Sequence, residues 1–300
     1  MSPKGRNFKL MTIKNPLVTI YMPVYNAANF LPQAIESILS QTYSDFEFII
    51  IDDASTDNSW KIIKEYSKKD SRIVPIKNRI NLGVSLTSNI AISISKGKFL
   101  ARMDADDISF SDRIQKQVKI LTKNSRLVAV GGQCIVIDKD DNIIGNKNFP
   151  TQPEKLKEMI FWAIPMQQPS MMVNLTKLPK NFKWYAPNNT SAEEVDLIFR
   201  FMNYGQITNT QDNLLFYRHL NNSLSHVNPK STFRLTLKSR FKAIQDGYQP
   251  SFKAIILNIC QIIAISTIPT SLINEIWSLI RGIKKVTPGL TVGTFTQTEV

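Results

Sequence analysis

The sequence predicts an α/β fold: a mostly parallel central sheet with helices on both faces, continued by a helical C-terminal extension. Three observations carry this. From Pro16 to Asp104, short runs rich in β-branched and aromatic residues alternate with runs of helical periodicity, the order of βαβ units feeding a parallel sheet. A polar cluster follows each of the first four strand-like runs. The apolar share, 43% of 300 residues, is that of a globular chain with a real core.

In order, "LVTIY" reads as a strand. "NFLPQAIESILSQ" reads as a helix opened by Asn29, with Pro32 tolerated in its first turn. "FEFIII" is a buried strand, "TDNSWKIIKEYSKK" a helix, "RIVPIK" a weaker strand, "VSLTSNIAISIS" a helix closed near Gly97 and "KFLARM" a strand. Ligands in such sheets bind outside the carboxyl ends of the strands. The clusters "PVYNAAN", "DDASTDNS", "NRINLG" and "DADD" all fall there, so four sequence-distant loops are expected to meet at one edge.

Beyond residue 110, "SFSDRIQKQVKIL" suggests a helix. "LVAVGGQCIVIDKDDNIIGNKNF" suggests strands joined by a turn at Asp140 to Asn142, with Gly131 and Gly132 marking a bulge or a close backbone approach. "SAEEVDLIFRFMNYG" is a helix with an acidic first turn that ends near Gly205. The expected organisation is a flexible extension over 1–15, the α/β domain over 16–227, a basic and apolar helical region over 228–285 and a flexible tail over 286–300.

Two cysteines, Cys134 and Cys260, lie far apart without metal-ligand spacing, so neither a disulfide framework nor a zinc site is expected and a reducing, cytoplasmic setting fits. The basic N-terminus lacks the apolar segment of a secretory signal. The formal charge is +13, and Lys230, Arg234, Lys238, Arg240 and Lys242 follow one another with no acid among them. Such a distribution suits anionic partners such as phosphorylated substrates or lipid headgroups. Nucleic acid is set aside, because no recognised module is present and no aromatics interleave the basic residues. Neither GxxxxGK[ST] nor GxGxxG occurs, which argues against P-loop and nicotinamide chemistry.

The stretch "GKFLARMDADDIS" ends an apolar run in three carboxylates, Asp104, Asp106 and Asp107. If the strand continues past Met103, Asp104 and Asp106 project to the same side at about 6–7 Å, a repulsion of roughly 2–3 kcal/mol at an effective dielectric near 20. A hard divalent cation, Mg²⁺ or Mn²⁺, offsets such repulsion and bridges carboxylates to phosphates. The other reading is a solvated acidic turn, or Asp106 or Asp107 capping the following helix. Convergence of the four loops favours the metal-assisted phosphate site.

The segments "VTIYMPVYNAANFLPQAIESILSQTYSDFEFIIIDDASTDNS", "NLGVSLTSNIAISISKGKFLARMDADD" and "AEEVDL" resemble the family-two inverting glycosyltransferases of the GT-A fold, of bacterial cell-surface polysaccharide type. The match runs from about Leu17 to about Ser225. The resemblance implies a nucleoside-diphosphate sugar as donor, a glycan or lipid-linked acceptor and a divalent metal. It places Asp104 and Asp106 in the metal and diphosphate motif, with Asp106 the direct ligand and Asp104 contacting ribose or metal. It puts Pro23 and Tyr25 at the nucleobase pocket, Asp53 as the carboxylate that accepts from the base, and Arg79 against base or phosphate. Glu194 takes the position of the general base and Glu193 that of its acidic neighbour, although the family usually carries Glu-Asp there. The extra methylene implies a helix set slightly back or a differently placed acceptor, since errors of about 1 Å can cost on the order of 100-fold in rate. His219, in "YRHLNNSLS", matches a segment near the diphosphate and is a metal ligand or phosphate donor, with Arg218 as an alternative phosphate partner. Gln167, Gln168 and Trp184 fall where an acceptor would pass.

Without that resemblance, Tyr25 reads as a packing aromatic, Asp53 as an Asx turn before Ser55, and the glutamates as favourable helix N-terminal charge. Two further function classes stay open: a non-catalytic nucleotide-sugar or glycan binding protein of the same fold, and a metal-dependent nucleotidyltransferase. From Ala254 to Asn274 no charge appears, yet the polar residues make a poor span. The alternatives are a helix lying in the plane of an anionic membrane, at the inner face of the cytoplasmic membrane, or packing onto the catalytic domain.

Overall fold

The computed structural model describes residues 17–186, 193–220, 229–268 and 291–294. The first half runs β1 (Val18–Val24), α1 (Leu31–Leu39), β2 (Phe46–Asp52), α2 (Ser59–Lys69), β3 (Ile73–Lys77), α3 (Gly83–Ser93) and β4 (Phe99–Arg102). There follow β5 (Ile108–Ser109), α4 (Arg113–Lys123), β6 (Leu127–Ile137), β7 (Ile143–Lys147), α5 (Pro153–Met159) and β8 (Met172–Asn174). Last come α6 (Glu193–Met202), β9 (Gln206–Arg218), α7 (Pro229–Gln245) and α8 (Phe252–Thr267).

The sheet is ordered β3-β2-β1-β4-β8-β6-β9-β5, with β7 on β6. The first four strands pair in parallel, as the alternation of strands and helices requires. Beyond β4 the pairing is mixed: β8 is antiparallel to both β4 and β6, whereas β6 and β9 run parallel. The strand order reverses between β1 and β4, so the loops leaving these two strands flank a topological switch point, the usual ligand crevice of an open α/β sheet.

Burial follows from composition. Every residue of β2, "FEFIIID", is buried, as expected of a strand covered on both faces. Val18, Ile20, Met22, Phe48, Ile50 and Phe99 pack with α1, α2 and α4 on one face. Tyr21, Ile49, Ile51 and Leu100 alternate onto the other, beneath residues of α3, α5 and α6. Pro75 is tolerated because β3 is an edge strand. Pro23 is tolerated in β1 because β4 has stopped pairing there, its last partner being Arg102 opposite Tyr21. Gly131 and Gly132 do mark both a bulge and a close approach. The β6–β9 register shifts there, and a Cβ on Gly131 would lie 2.4 Å from Met166 Cγ, one on Gly132 2.5 Å from Leu214 Cγ.

Several local expectations need correction. Asn29 does not open α1; Phe30 is the cap residue and offers no side-chain bond. The strand before the acidic triplet ends at Arg102 rather than passing Met103, so Asp104 and Asp106 do not alternate on a strand. Neither Asp106 nor Asp107 caps the next helix, because β5 intervenes and α4 starts after Asp112. Of the segment 286–300 only residues 291–294 are described; there Thr291 bridges to Asn142 and Val292 N donates to the Asp141 carbonyl at 3.1 Å. Among the described residues no helix is long and apolar enough to cross a membrane.

Candidate active site

The four polar loops lie at the carboxyl edge of the parallel strands, and the first three are tied to one another by short-range polar contacts. Asn26 N donates to Ser55 Oγ (3.0 Å), Ala27 N to Ser59 Oγ (3.0 Å) and Ala28 N to Asp57 Oδ2 (3.0 Å), which joins the loops after β1 and β2. Tight turning on each side puts Asn26 (φ 49°) and Ala54 (φ 59°) in the left-handed region. Asp53 is buried and joins the second loop to the third. Its Oδ1 accepts from Asn78 Nδ2 (2.7 Å) and Leu82 N (2.9 Å), its Oδ2 from Gly83 N (2.8 Å). The carboxylate therefore holds the N-terminus of α3, where helix dipole and orphan N–H groups favour negative charge. The Asx turn toward Ser55 belongs to Asp52 instead, whose Oδ2 accepts from Ser55 N at 3.3 Å.

The fourth loop is a turn closed by Asp107 N donating to the Asp104 carbonyl at 3.4 Å. Three arginines surround it. Arg102 Nε donates to Asp104 Oδ1 at 2.9 Å. Arg113, fully buried at the start of α4, donates to the Arg102 carbonyl (2.8 Å), to Gln117 Oε1 (3.0 Å) and toward Met103 Sδ (3.5 Å). Arg218, at the end of β9, donates from Nε to the Asp106 carbonyl (2.8 Å) and from its main-chain N to Asp107 Oδ1 (2.9 Å). The repulsion within the triplet is thus partly offset by the protein's own cations. It is not cancelled. Burial first, then the Asp104 charge, push Asp106 up to about 6. Burial, with Asp106 and Asp104, holds Asp107 well above the usual carboxylate range, and its buried Oδ2 has no hydrogen-bond partner. Burial lowers Arg113 to about 10, opposed by the charges of Asp107 and Asp104.

Pro23 and the half-exposed Tyr25 lie on the β1 side of the switch point, with Asp104 and Asp106 on the β4 side. Arg79 is exposed on the loop after β3. His219 directly follows Arg218, and its main-chain N donates to the Ile137 carbonyl at 2.8 Å. Glu193 and Glu194 open α6; the Glu193 side chain lies outside the described residues, as do residues 187–192 and 221–228. Among the described residues no group of three His, Cys, Asp or Glu side chains stands already gathered to hold an ion.

Every nitrogen of the Arg218 guanidinium is engaged: Nε with Asp106, Nη1 with the Asp138 carbonyl (2.8 Å) and Asp141 Oδ1 (2.6 Å), Nη2 with Gln33 Oε1 (3.1 Å). Trp184 packs edge-on to Phe182 and Phe201, at 5.2 and 5.6 Å, as part of an aromatic cluster. Gln168 Nε2 donates to Tyr185 Oη at 3.2 Å, and Gln167 Oε1 accepts from Lys147 Nζ at 3.0 Å. Tyr185 in turn meets Tyr21 Oη at 2.9 Å and lies 5.9 Å below the Arg102 guanidinium. A polar chain therefore leads from Asp104 through Arg102 to the segment that precedes α6. Sequence reading missed Arg102, Arg113 and Tyr185; the one available signal was Arg102, a lone cation inside the apolar run before the acidic triplet.

Residues 19–181, more than half of the chain, match Glycosyl transferase family 2. An uncharacterized glycosyltransferase of Methanocaldococcus jannaschii is 36% identical over 236 residues, covering 76% of this chain and 80% of its own. TuaG of Bacillus subtilis, named for teichuronic acid biosynthesis, is 28% identical over 61% of this chain and 80% of its own. Among solved structures, Staphylococcus aureus TarS in complex with UDP-GlcNAc superposes with a TM-score of 0.62 at 15% identity, over 80% of this chain and 70% of that one. In another crystal of the same TarS fragment the chain spans 64% of its length. The mannosyltransferase PcManGT of Pyrobaculum calidifontis, in complex with GDP-Man and Mn²⁺, gives a TM-score of 0.59 at 17% identity, over 89% of this chain and 81% of its own. With its curled α/β sheet of GT-A type, the chain belongs to glycosyl transferase family 2.

Proposed function

We propose that the protein transfers a sugar from a nucleoside-diphosphate donor, UDP being the best fit, to a hydroxyl of a glycan or lipid-linked acceptor. The transfer inverts the anomeric centre, in cell-envelope or exopolysaccharide synthesis at the inner face of the cytoplasmic membrane. The observation that carries the reading is the placement of the Asp104–Asp107 turn across the switch point from the Pro23–Tyr25 loop. TarS with UDP-GlcNAc and PcManGT with GDP-Man and Mn²⁺ supply the donor class by likeness of fold.

Pro23 and Tyr25 present a flat apolar wall for the nucleobase. Asp53, fixed by the N-terminus of α3, accepts from the base edge with the lone-pair capacity left on Oδ2. Arg79 adds a flexible cation toward base or phosphate. Asp104 and Asp106 fit a hard divalent ion, because both are oxygen donors and the negative charge of Asp106, disfavoured by burial and by Asp104, is not fully compensated by its arginine neighbours. Mn²⁺ or Mg²⁺ held by Asp104 and Asp106 would offset charge on the leaving diphosphate, and His219 would contribute a ligand or a phosphate hydrogen bond. On the acceptor side Glu194 takes the hydroxyl proton as the acceptor oxygen bonds to the anomeric carbon and the bond to the diphosphate breaks. Glu193 beside it holds the local charge negative.

The test is incubation of the full chain with UDP-, GDP- and dTDP-sugars and Mn²⁺. Slow donor hydrolysis that disappears in Asp106→Ala is the expected result. Tight donor binding without turnover would point to a non-catalytic binding protein, and pyrophosphate release from a nucleoside triphosphate to a nucleotidyltransferase.

A further inference from the structure

The α8 helix, Phe252–Thr267, is laid on the domain inside out. The polar side chains in its middle, Asn258 and Gln261, face the protein. Asn258 Nδ2 donates to the carbonyls of Phe161 and Ala254, and Gln261 Nε2 donates to the Trp162 carbonyl at 2.7 Å. From α7, the buried Arg240 donates to Asn258 Oδ1 (2.8 Å), Gln261 Oε1 (3.3 Å) and the Ile160 carbonyl (3.0 Å). With Ala254 and Ile265, the only buried residues of the helix, Asn258 and Gln261 recur at positions 254, 258, 261 and 265, which is one helical face. Its opposite side carries Phe252, Ile255, Ile256, Ile259, Ile262 and Ile263, which are 41–78% exposed.

A solvated surface helix has the reverse arrangement, so this face is built for an apolar medium. Sixteen residues rise about 24 Å, short of the roughly 30 Å of hydrocarbon in a bilayer, and one face is committed to protein. Spanning is thereby disfavoured and lying in the plane is favoured. Charge decides which surface it meets. Between residues 229 and 268 stand Lys230, Arg234, Lys238, Arg240, Lys242 and Lys253 against Asp246 alone. On α7, Phe241 and Ile244 are also exposed, beside the turn that carries Arg240. An aliphatic ridge that starts beside the exposed Lys253, on a segment whose other exposed charges are Arg234, Lys238 and Lys242 against Asp246, matches an interfacial helix on anionic lipid. A protein partner more often meets Trp, Tyr and Arg anchors set in pockets.

We infer that the outward face of α8 is a docking surface for an anionic lipid bilayer, in which the helix lies parallel to the membrane plane while Arg240, Asn258 and Gln261 hold the domain against it. The inference deepens the lipid-linked acceptor reading, but the two fail separately: vesicle binding reports the surface, and donor hydrolysis without vesicles reports the transferase.

Co-sedimentation of the full chain with vesicles of phosphatidylcholine, alone or with about one-third phosphatidylglycerol, tests it. The chain is expected to sediment with the anionic vesicles, more weakly as salt rises. Ile259→Glu/Ile263→Glu is expected to weaken this by about ten-fold or more with unchanged melting temperature and unchanged donor hydrolysis. Lys238→Glu/Lys253→Glu keeps the apolar ridge and is expected to lose the preference for anionic lipid. Absence of vesicle binding in the full chain, or equal binding by the isoleucine variant, overturns the inference. So does a dimer in vesicle-free buffer that the isoleucine variant makes monomeric, which would give the face to a second copy. A large fall in melting temperature in that variant, together with no vesicle binding by the parent chain, would give the face to residues 269–290 and overturn it likewise.

Discussion

Arg218 donates from Nε to the main-chain carbonyl of Asp106 at 2.8 Å, across 112 residues of sequence. The same guanidinium reaches Gln33 on α1, Asp138 and Asp141 in the β6–β7 turn, and lies 4.6 Å from the Phe30 ring. One buried side chain thus fixes the acidic turn relative to α1, the helix that follows the loop after β1.

Removing it should cost stability as well as function. Arg218→Ala leaves the partly exposed Asp141 without its ion pair and the Asp106 and Asp138 carbonyls without donors, a loss on the order of 1–3 kcal/mol. Arg218→Lys keeps the charge but cannot reproduce the fork, so an intermediate loss is expected. Urea melts give the stability, and UDP titration in Mn²⁺ on the folded fraction gives the site. A fully stable Arg218→Ala protein with parental nucleotide affinity would contradict the assignment.

A second prediction follows from the raised carboxylates. Asp106 stands at about 6 in the folded protein, against about 3.9 in an unfolded chain. Between those values the folded state keeps a proton that the unfolded state has lost, so stability rises as pH falls from about 6 to about 4. Asp107 is shifted the same way. Asp57, Asp70, Asp138 and Asp212 are shifted downward, by hydrogen bonds that outweigh burial for most of them, and their contribution is lost only below the usual carboxylate range. The metal-free melting temperature should therefore climb on going from pH 7 to pH 5. Saturating Mn²⁺ should flatten or reverse that slope, because a cation bound to Asp104 and Asp106 competes with the proton. Scanning calorimetry at both pH values, with EDTA and with Mn²⁺, checks this; the same slope in both conditions would separate the aspartates from metal binding.

How much of this was legible in the sequence depends on the range over which each feature is encoded. The β1–α1–β2–α2–β3–α3–β4 order was readable because alternation and helical periodicity are local. The convergence of Tyr25, Asp53, Arg79 and Asp104 at one edge followed from topology alone. The sequence left a strand continuing past Met103 and a turn at Asp104–Asp107 both open, since where β4 stops is set by the end of its pairing with β1 at Tyr21–Arg102, not by propensity. Arg113 escaped notice because its partners, the Arg102 carbonyl and Gln117, are brought to it by tertiary packing and helix register, and the partners of Arg218 on α1 and in the β6–β7 turn were hidden for the same reason. The reversed orientation of α8 was hidden too, although Asn258 and Gln261, three residues apart in an isoleucine run, formed the one polar stripe able to face the protein.

The last prediction concerns Glu194. It opens α6, and its neighbour Val195 and the buried Leu197, Ile198 and Phe201 fix the helix against the second core cluster. Main-chain mobility is therefore a poor means of accommodating the extra methylene of a glutamate where the family usually has aspartate. If Glu194 is the base, Glu194→Gln removes proton acceptance without changing shape, and kcat for transfer should fall by about 10²–10⁴ while the donor KM stays within about two-fold. Glu194→Asp withdraws the carboxylate by roughly 1 Å and should retain part of the rate with the acceptor that suits it. Glu193→Gln should matter far less, since it alters only neighbouring charge. Steady-state transfer assays on the three variants decide the matter: full activity in Glu194→Gln would return both glutamates to the role of favourable charge at a helix N-terminus.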